Sequence, residues 1–497
     1  MSNNVINILV QNQATRPTQT ALLFHNVSTT YSQLYLEALR IAKNLQQLNI
    51  RPKQPVGLLL KNNPQYLISY YGCLLAGVVP VLLPTYLSTN KLTYNFNKIK
   101  IESVIFDPEL QKIVDEVEMK KGTPLEKLAF NNFKTFNSLE IGDPVKPGNS
   151  FPGIDNDNEP AVITFSSGNS GFPRISVHSQ ANLMANARHC AGLLENMRSI
   201  RLLCTLPVFN FIAHSFIPHA VALAGGTIVL TDKFNPEEIS RIMAENNVNV
   251  LIGTPAFYDQ FVTTESPGRF PELKYCLVCG GNLTENTWNI LTNKYKVFVT
   301  ELYGTTETQM LCVSHDSADR QKIVIGKPFN GIEIRIVSTA GAETAPGTAG
   351  ELQIRTDSLM LNYFDEINHQ YLEKSTWFGT GDLVKRCPDN NLVFVEKISN
   401  MIHRYGYLVC PKQIENVIAK HPAVSEVIVV PGENNGRDDQ IKVNIIVREG
   451  ASVTREEIIE YCRNNLPGYL QPEIIEFFSY FERDITGNVL RNHLNKS

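Results

Sequence analysis

Apolar residues along the chain follow two alternating spacings over most of its length. Some segments repeat them every three to four residues, as one face of a helix does, and others group them in short runs typical of buried strands. We predict helices at Tyr31–Leu48, Pro64–Ala76 and Pro236–Asn246. We predict strands at Val56–Leu60, Val78–Leu82, Ser103–Phe106, Thr227–Leu230, Val250–Gly253, Tyr275–Cys279 and Val297–Thr300. Strands separated by helices indicate parallel βαβ sheets and an α/β protein.

The pattern changes in the last third of the chain. Short strands predicted at Glu333–Val337 and Gly350–Ile354 flank a turn-rich stretch and suggest an antiparallel subdomain. The segment Leu392–Ile402 precedes a new α+β pattern of about 100 residues. Its predicted elements are Pro411–Lys420, Val424–Pro431, Gln440–Val447 and Thr454–Asn465. We therefore expect a large N-terminal domain, 1–399, and a small C-terminal domain, 400–497.

The composition narrows the class of protein. The 497 residues are 43% hydrophobic and 19% charged, as in soluble globular proteins, and a net charge of −4 gives no reason to expect nucleic acid or an anionic membrane. Nine cysteines without a disulfide framework, and an N-terminus without a secretory pattern, lead us to expect the cytoplasm. Gly77 and Pro80 divide the apolar stretch Tyr66–Pro84 into a helix and a strand, so we expect no membrane span. Cys276 and Cys279 lie in an apolar run, which favours a buried strand over a metal or redox site.

Three polar segments carry the candidate chemistry. Thr164–Arg174 places small hydroxyl residues and glycines before a proline and a cation, and such a loop can turn several N–H groups toward an anion. It is not a Walker loop, because no Gly-Lys-Ser/Thr ends it. Tyr303–Thr308 combines an aromatic ring, threonines and a carboxylate, enough for a base, a phosphate and Mg²⁺. Gly379–Asp382 offers a carboxylate suited to a ribose diol, although each segment could also be an ordinary polar turn.

The order and spacing of these segments resemble the adenylate-forming superfamily of acyl-CoA synthetases, nonribosomal peptide synthetase adenylation domains and firefly luciferase. The resemblance extends from Thr30–Leu34 to Thr486–Arg491. It implies a small C-terminal lid that rotates about a hinge between two half-reactions. In the first, ATP and Mg²⁺ convert a carboxylic acid into acyl-AMP. In the second, the thiol of CoA or of a phosphopantetheine receives the acyl group.

The resemblance also implies roles for individual residues. In the pyrophosphate loop Arg174 stands where the family has a lysine, so the positive charge is retained. The other loop residues are Ser166, Ser167, Gly168, Ser170 and Gly171. The adenosine-binding residues are Gly280, Gly281, Asn282, Tyr303, Gly304 and Asp382. Among these, Tyr303 is expected to stack on adenine and Asp382 to bind the ribose, while Thr306 contacts the α-phosphate and Glu307 binds Mg²⁺.

Several positions depart from the family pattern. Ile175 replaces a glycine, which predicts a stiffer loop after Arg174. Lys397 stands where the family has an arginine that contacts ribose and phosphate, and Asn400 stands where it has the hinge aspartate. His403 replaces a lysine, whereas Gly406, which matches the glycine bordering the pantetheine tunnel, is retained.

The largest departure is Asn488, at the position of the lysine that bridges the substrate carboxylate and the α-phosphate during adenylation. Asparagine is uncharged and shorter. Losing one preorganised donor to a developing charge typically lowers a rate by ~10²–10³. The sequence therefore predicts impaired adenylation.

The acyl side of the predicted site lies in Leu206–His214. Phe209, Asn210 and His214 are the candidate pocket residues. Amino-acid-activating relatives have an aspartate at the position of Asn210 to pair with the substrate ammonium, so an α-amino acid is disfavoured and a neutral acyl or aryl acid is preferred. His214 and His219 could contact substrate, but buried histidines more often have a structural role.

Three functional hypotheses remain from the sequence. The first is an acid–thiol ligase that transfers a non-amino-acid acyl group to CoA or to a carrier protein. The second is a degenerate homologue that binds adenylate but adenylates weakly, runs only the second half-reaction or acts as a binding protein. The third is an enzyme that transfers the acyl group of the adenylate to an amine or an internal hydroxyl instead of a thiol. The expected partner is a small carboxylic acid, together with a carrier protein if the acceptor thiol is a carrier-bound phosphopantetheine. No nucleic acid is expected.

Overall fold

A computed structural model of the chain describes most of its residues. These are 4–132, 157–166, 174–195, 197, 199–232, 235–264, 270–315, 323–364, 372–373, 376–404, 407–434, 439–483, 487 and 489–494. The elements below are those of the described residues.

The strands are numbered in chain order. They are β1 Thr20–Phe24, β2 Val27–Thr30, β3 Pro55–Leu59, β4 Val79–Leu82, β5 Ser103–Phe106, β6 Glu126–Ala129, β7 Pro160–Phe165, β8 Ile175–Ser179, β9 Arg201–Cys204, β10 Thr227–Val229, β11 Val250–Gly253, β12 Tyr275–Cys279, β13 Phe298–Thr305, β14 Gln309–Ser314, β15 Ile323–Pro328, β16 Glu333–Val337, β17 Gly350–Arg355, β18 Asn362–Tyr363, β19 Phe378–Arg386, β20 Leu392–Lys397, β21 Ile402–Arg404, β22 Tyr407–Val409, β23 Val424–Asn434, β24 Asp439–Val447 and β25 Ile474–Phe478.

The helices are numbered in the same way. They are α1 Ile6–Thr15, α2 Tyr31–Gln47, α3 Pro64–Ala76, α4 Thr89–Ile99, α5 Gln111–Lys121, α6 Gln180–Gly192, α7 Phe211–Ser215, α8 Val221–Leu223, α9 Pro236–Glu245, α10 Pro255–Thr264, α11 Glu285–Asn289, α12 Pro411–Ile418, α13 Arg455–Asn465 and α14 Arg491–Leu494. Short 3-10 turns occur at Pro108–Leu110, Phe130–Asn132, Ile398–Asn400 and Gly468–Leu470, and π-helical turns at Phe216–Ala220 and Ile290–Lys294.

One large sheet carries most of the strands of the N-terminal domain. Within the described residues its order is β16-β17-β19-β20-β15-β14-β13-β12-β11-β9-β10-β1-β2. The pairs from β13 through β12, β11, β9 and β10 to β1 are parallel, and those from β13 to β16 are antiparallel. The α/β prediction is therefore confirmed, and the predicted antiparallel subdomain is a continuation of the parallel sheet.

A second sheet lies beside the first, in the order β18-β8-β7-β4-β3-β5-β6. Successive residues of a strand point to opposite faces, so each sheet contributes to two apolar clusters. Leu202 belongs to the cluster shared with α2, α3 and α6, whereas Leu203 belongs to the cluster that includes α9 and α10. A third cluster joins the second sheet to α4 and α5. Helices therefore pack against both faces of the second sheet and of the parallel part of the first, whereas strand and loop residues alone form the cluster at the antiparallel end.

The apolar stretch after residue 63 shows how local sequence sets an element. The side chain of Asn63 accepts a hydrogen bond from the backbone N–H of Tyr66 and caps α3, and Pro64 occupies the first turn. Gly77 ends the helix with φ +73°, a conformation that glycine adopts without strain. The predicted helix and following strand are confirmed, and no helix of the described residues is both long and apolar enough to span a membrane.

The C-terminal domain is a small α+β unit. Strands β23, β24 and β25 form its sheet in that order, and β21 pairs with β22 as a separate hairpin. Apolar residues of α12 and α13, including Ile414 and Ile458, pack with these strands in one cluster. The predicted order of helix, strand, strand and helix is confirmed, with a third strand, β25, added after α13.

Candidate functional site

The predicted phosphate loop connects two antiparallel strands, β7 and β8. At its base the backbone N–H of Ser166 donates to the Arg174 carbonyl, and the Arg174 N–H donates to Ser166 Oγ, both at 2.9 Å. Ile175, the replacement for a glycine, pairs with Phe165 and is buried. The predicted phosphate-binding residues Ser167, Gly168, Ser170 and Gly171 lie outside the described residues.

The Tyr303–Thr308 segment forms the end of β13 and the turn into β14. We predicted that the strand ended at Thr300, but it continues to Thr305. A Cβ on Gly304 would lie 2.0 Å from the Gln309 carbonyl oxygen, so this glycine lets the two strands approach each other. The hydroxyl groups of Thr305 and Thr308, 2.9 Å apart, close the turn. The tight turn fixes the positions of Thr306 and Glu307.

A buried carboxylate, Asp382, lies beside this turn. It is opposite Lys397 in the β19–β20 pair, and Lys397 Nζ is 3.0 Å from Asp382 Oδ1. The hydroxyl of Tyr303 donates to Asp382 Oδ2. Burial, together with the Asp382 charge, raises the pKa of Tyr303, so the phenol remains a donor. The Asp382 side chain is only 2% exposed, and such a charge is stable only when it is paired and hydrogen-bonded.

A second cluster surrounds Glu307. The Tyr363 hydroxyl donates to Glu307 Oε1 at 2.9 Å, and the Arg174 guanidinium lies 3.7 Å from the centroid of the Tyr363 ring. Tyr363 therefore connects the cation predicted for pyrophosphate with the carboxylate predicted for Mg²⁺.

His178 on β8 connects the loop strand to the same turn. It hydrogen-bonds with the backbone of Thr306 and lies 3.4 Å from Gln309 Nε2. Burial lowers the pKa of His178 to about 4, so the ring is neutral near pH 7.

The predicted adenine edge follows β12. Gly280 has φ +87°, and Asn282 Nδ2 donates to Glu301 Oε2 at 2.7 Å and to the Val324 carbonyl at 3.0 Å. The buried Glu301 also accepts from the backbone N–H of Leu283. The side-chain amide N–H groups of Asn282 are therefore committed to the fold, and the backbone of Gly280–Asn282 remains the predicted contact to the base.

The acyl-side residues surround the start of α7. Phe209 is buried, with its ring 5.7 Å from that of the half-exposed Tyr86. Asn210 caps α7, since its Oδ1 accepts from the backbone N–H of Ile212 at 2.9 Å. The side chain of Asn210 thus has a structural partner in addition to its predicted place in the pocket.

Two neutral histidines lie behind this segment. His214 is buried edge-on to His219, with ring centroids 4.9 Å apart, and its Nε2 has no hydrogen-bond partner among the described residues. His219 Nε2 lies 2.9 Å from the Tyr70 hydroxyl. Burial lowers the pKa of both, that of His219 to about 3. Each histidine therefore has one buried ring nitrogen without a partner among the described residues, Nε2 in His214 and Nδ1 in His219.

The predicted hinge follows β20. Asn400 Nδ2 and the backbone N–H of Lys397 both donate to Glu396 Oε1, at 2.8 and 2.9 Å. Gly406 and Asn488 lie outside the described residues. Gly487, immediately before Asn488, has φ +89°, and a Cβ built on it would lie 3.2 Å from Ala256 Cβ in the N-terminal domain.

Comparison with known proteins decides the family. The model of the AMP-binding enzyme family matches residues 9–364, and that of the AMP-binding enzyme C-terminal domain matches residues 413–488. The chain belongs to the AMP-binding enzyme family. It is thereby a member of the adenylate-forming superfamily, as the motif order indicated.

Curated relatives of this AMP-binding enzyme are acyl-CoA ligases. It is 22% identical to a long-chain-fatty-acid–CoA ligase of Bacillus subtilis, with 98% of this chain and 93% of that protein covered. It is 25% identical to 4-hydroxybutyrate–CoA ligase 1 of Metallosphaera sedula, with 97% and 88% covered. It is 24% identical to a 2-succinylbenzoate–CoA ligase of Bacillus mycoides, with 99% and 98% covered.

Solved structures share the fold over the whole chain. ATP-bound MatB from Rhodopseudomonas palustris superposes with a TM-score of 0.85 at 20% identity and covers 100% of this chain and 99% of its own. MenE from Bacillus subtilis in complex with AMP gives 0.82 at 22% identity, with 99% and 98% covered. The predicted fold class, a large N-terminal α/β part with a small C-terminal α+β domain, is confirmed.

The residues fit a metal held mainly by a nucleotide. The described part of the chain contains no group of three or more His, Cys, Asp or Glu that could bind a metal by itself. Glu307 offers one carboxylate at the turn, and Mg²⁺ commonly binds through one or two carboxylates plus substrate phosphates. Glu307 therefore remains the predicted Mg²⁺ ligand.

Two residues of the site were missed by sequence reasoning. His178 lies in an apolar strand and Tyr363 follows an apolar run, so neither stands out as chemical. Both contact the turn only because β8 pairs with β7 and β18, a long-range arrangement that the local pattern does not reveal.

We predict that Asn400→Asp destabilises the hinge segment. The new carboxylate would face Glu396 where an amide now donates, so a charge-assisted hydrogen bond worth about 1.5–3 kcal/mol is replaced by repulsion. The free energy of unfolding should fall at about pH 8, and the deficit should shrink toward about pH 5, because protonating one carboxylate removes the repulsion.

Asn400→Ala is the matched control for this measurement. It removes the hydrogen bond without adding charge, so its deficit should change little between the two pH values. An Asn400→Asp protein as stable as the unmutated chain at the higher pH would contradict the assigned contact.

Proposed function

We propose that the protein is an ATP- and Mg²⁺-dependent acid–CoA ligase that acts through acyl-AMP. The observation that carries the proposal is the cluster of Asp382, Lys397 and Tyr303 beside the Thr306–Glu307 turn. The acyl-CoA ligases among the relatives support the same reaction class. In this proposal Thr306 contacts the α-phosphate, Glu307 binds Mg²⁺ and Arg174 contacts pyrophosphate, as expected from the sequence.

The proposed reaction has two steps. The substrate carboxylate attacks the α-phosphorus of ATP, the bond to the bridging oxygen breaks, and pyrophosphate leaves. The sulfur of CoA then attacks the acyl carbonyl, its proton is lost, and AMP leaves with the electron pair of the broken acyl–oxygen bond. Thr306 and Arg174 orient the phosphates, and a Mg²⁺ ion held at Glu307 would neutralise part of their charge.

The ribose is proposed to bind at Asp382. A carboxylate has about four lone-pair sites, of which Lys397 and Tyr303 occupy two, so two hydroxyls can still be accepted. Because the Asp382 side chain is 2% exposed and that of Lys397 is 43% exposed, Lys397 is the group that must shift to admit the sugar. Lys397 then lies beside the nucleotide, where the family has an arginine.

The proposed acid lacks an α-amino group. The Asn210 side chain is neutral and caps α7, and His214 and His219 behind it are neutral as well. A buried ammonium at this position would therefore have no counter-charge from these groups, which is costly. The histidines likewise provide no cation for a second carboxylate.

The thiol step is proposed to use rotation of the C-terminal domain, 400–497, against the N-terminal domain, 1–399. The turn Ile398–Asn400 is the proposed hinge, and Gly406 is the proposed border of the pantetheine path. A Cβ built on Gly487 would lie 3.2 Å from Ala256 Cβ of the N-terminal domain, which supports a C-terminal domain able to bring this end of the chain to the proposed site. A carrier-protein phosphopantetheine is the alternative acceptor.

A second candidate is a degenerate adenylate-binding homologue, and Asn488 favours it. An uncharged side chain here leaves the carboxylate and the α-phosphate without the bridging cation of the family. Such a protein would bind nucleotide or acyl-AMP, adenylate weakly, and act in the second half-reaction or as a binding protein.

The proposal is tested with a panel of acids in matched pairs with and without an α-amino group. With ATP, Mg²⁺ and CoA, the des-amino acids should give CoA thioesters. Each amino acid should have kcat/KM lower by at least about 100-fold, because several kcal/mol are lost on burying an unpaired ammonium. Thioester formation and pyrophosphate release are measured together, with a phosphopantetheinylated carrier protein in a parallel series.

An amino acid as the best substrate would refute the acid class. Pyrophosphate release without a thioester on either thiol would refute the ligase and favour an amine or hydroxyl acceptor. The absence of both products would favour the binding protein.

The degenerate alternative is tested with Asn488→Lys. Restoring the cation should raise the rate of acyl-AMP formation at least about tenfold, a fraction of the effect of one preorganised donor. Asn488→Gln is the matched control, because it lengthens the side chain without charge and should give little gain. A fast unmutated protein that the lysine slows would show that this chain adenylates by another arrangement.

A further inference from the structure

Tyr363 occupies the space between two charges that the proposed reaction needs. It lies in the two-residue strand β18, where it pairs with Ser176 of β8, close to the end of the phosphate loop. Its ring lies under the Arg174 guanidinium, 3.7 Å from centroid to Cζ, and its hydroxyl donates to Glu307 Oε1 at 2.9 Å. One side chain therefore contacts both Arg174 and Glu307.

We propose that Tyr363 is a positioning residue that separates Arg174 from Glu307 and orients both for a metal–nucleotide complex. The inference rests on the proposed function and extends it, since Tyr363 would keep the charges of Arg174 and Glu307 available to the metal–nucleotide complex. It assigns no contact between Tyr363 and the reacting atoms.

The separation follows from the contacts. Arg174 and Glu307 contact the ring and the hydroxyl of the same tyrosine, and among the described residues no ion pair joins them. A direct Arg–carboxylate pair is commonly bidentate and strong, and it would have to break before phosphates and a cation could bind. A guanidinium over an aromatic face keeps its charge and its N–H donors free for phosphate oxygens.

The orientation of Glu307 follows from the hydroxyl. The phenol occupies one lone-pair site on Oε1 and leaves Oε2 and the remaining sites for a cation. A neutral donor to a carboxylate fixes its rotamer without neutralising its charge. Tyr363 therefore preorganises a single-carboxylate site that would otherwise lose side-chain entropy on binding Mg²⁺.

Calorimetry of ATP binding at increasing Mg²⁺ concentration tests the contributions of the Tyr363 hydroxyl and of its ring separately. Tyr363→Phe keeps the spacer and removes the donor, so the Mg²⁺ concentration for half-maximal ATP binding should rise about three- to tenfold. Affinity at saturating Mg²⁺ should stay within about twofold of the unmutated protein. Tyr363→Leu removes the spacer as well, so Arg174 can pair with Glu307 and affinity should fall at least about tenfold even at saturating Mg²⁺.

Tyr480→Phe, on a tyrosine that is 67% exposed in the C-terminal domain, is the matched control and should change neither quantity. Thermal unfolding of each variant is measured as well. If Tyr363 had a purely structural role, its substitution would lower the stability without changing the Mg²⁺ concentration for half-maximal ATP binding.

Each outcome decides the inference. An unshifted Mg²⁺ midpoint in Tyr363→Phe, with normal ATP binding, would overturn the role of the hydroxyl and leave the proposed function standing. Full recovery of Tyr363→Leu at high Mg²⁺ would overturn the separation of charges. Failure of the unmutated protein to bind ATP with Mg²⁺ would overturn the proposed function together with this inference.

Discussion

The burial of the Asp382 carboxylate is the constraint on which the candidate site depends. A charge that is 2% exposed requires partners, and the chain supplies Lys397 from the neighbouring strand and Tyr303 from β13. These partners tie the antiparallel end of the large sheet to the strand that leads into the Thr306–Glu307 turn. The same lysine directly follows Glu396, which holds the Asn400 side chain. One buried anion thus connects the predicted nucleotide side of the site to the predicted hinge segment.

Apart from the Asp382–Lys397 pair, uncharged side chains make the contacts that link the elements of the site. The neutral His178 connects β8 to the backbone of Thr306, and Tyr363 contacts both Arg174 and Glu307. Neutral linkers fix positions without cancelling charge, which suits the proposed binding of phosphates and a divalent cation. The proposed acyl side continues the pattern, because Asn210 and His214 carry no net charge.

The sequence correctly predicted those helices and strands whose ends are determined by residues next to them in the chain. Helix α3 was predicted from Pro64 to Ala76 and is observed there, because Asn63, Pro64 and Gly77 define both ends. The extension of β13 through Tyr303 was missed, since it depends on pairing with β14 and on a glycine that allows close approach. Motif order indicated that Tyr303 and Asp382 share a site. It could not reveal Tyr363, whose position depends on pairing with distant β8, nor that the Asn282 side chain bonds Glu301.

The central claim is that the Asp382 cluster is a ribose site prepared by the fold. The most direct measurement is the affinity of the unmutated protein for ATP, 2′-deoxy-ATP and 3′-deoxy-ATP at saturating Mg²⁺, by calorimetry. A hydrogen bond to a charged group contributes about 1.5–3 kcal/mol, so loss of either hydroxyl should weaken binding by at least about tenfold. Equal affinities for the three nucleotides would show that Asp382 does not bind the ribose and would contradict the account.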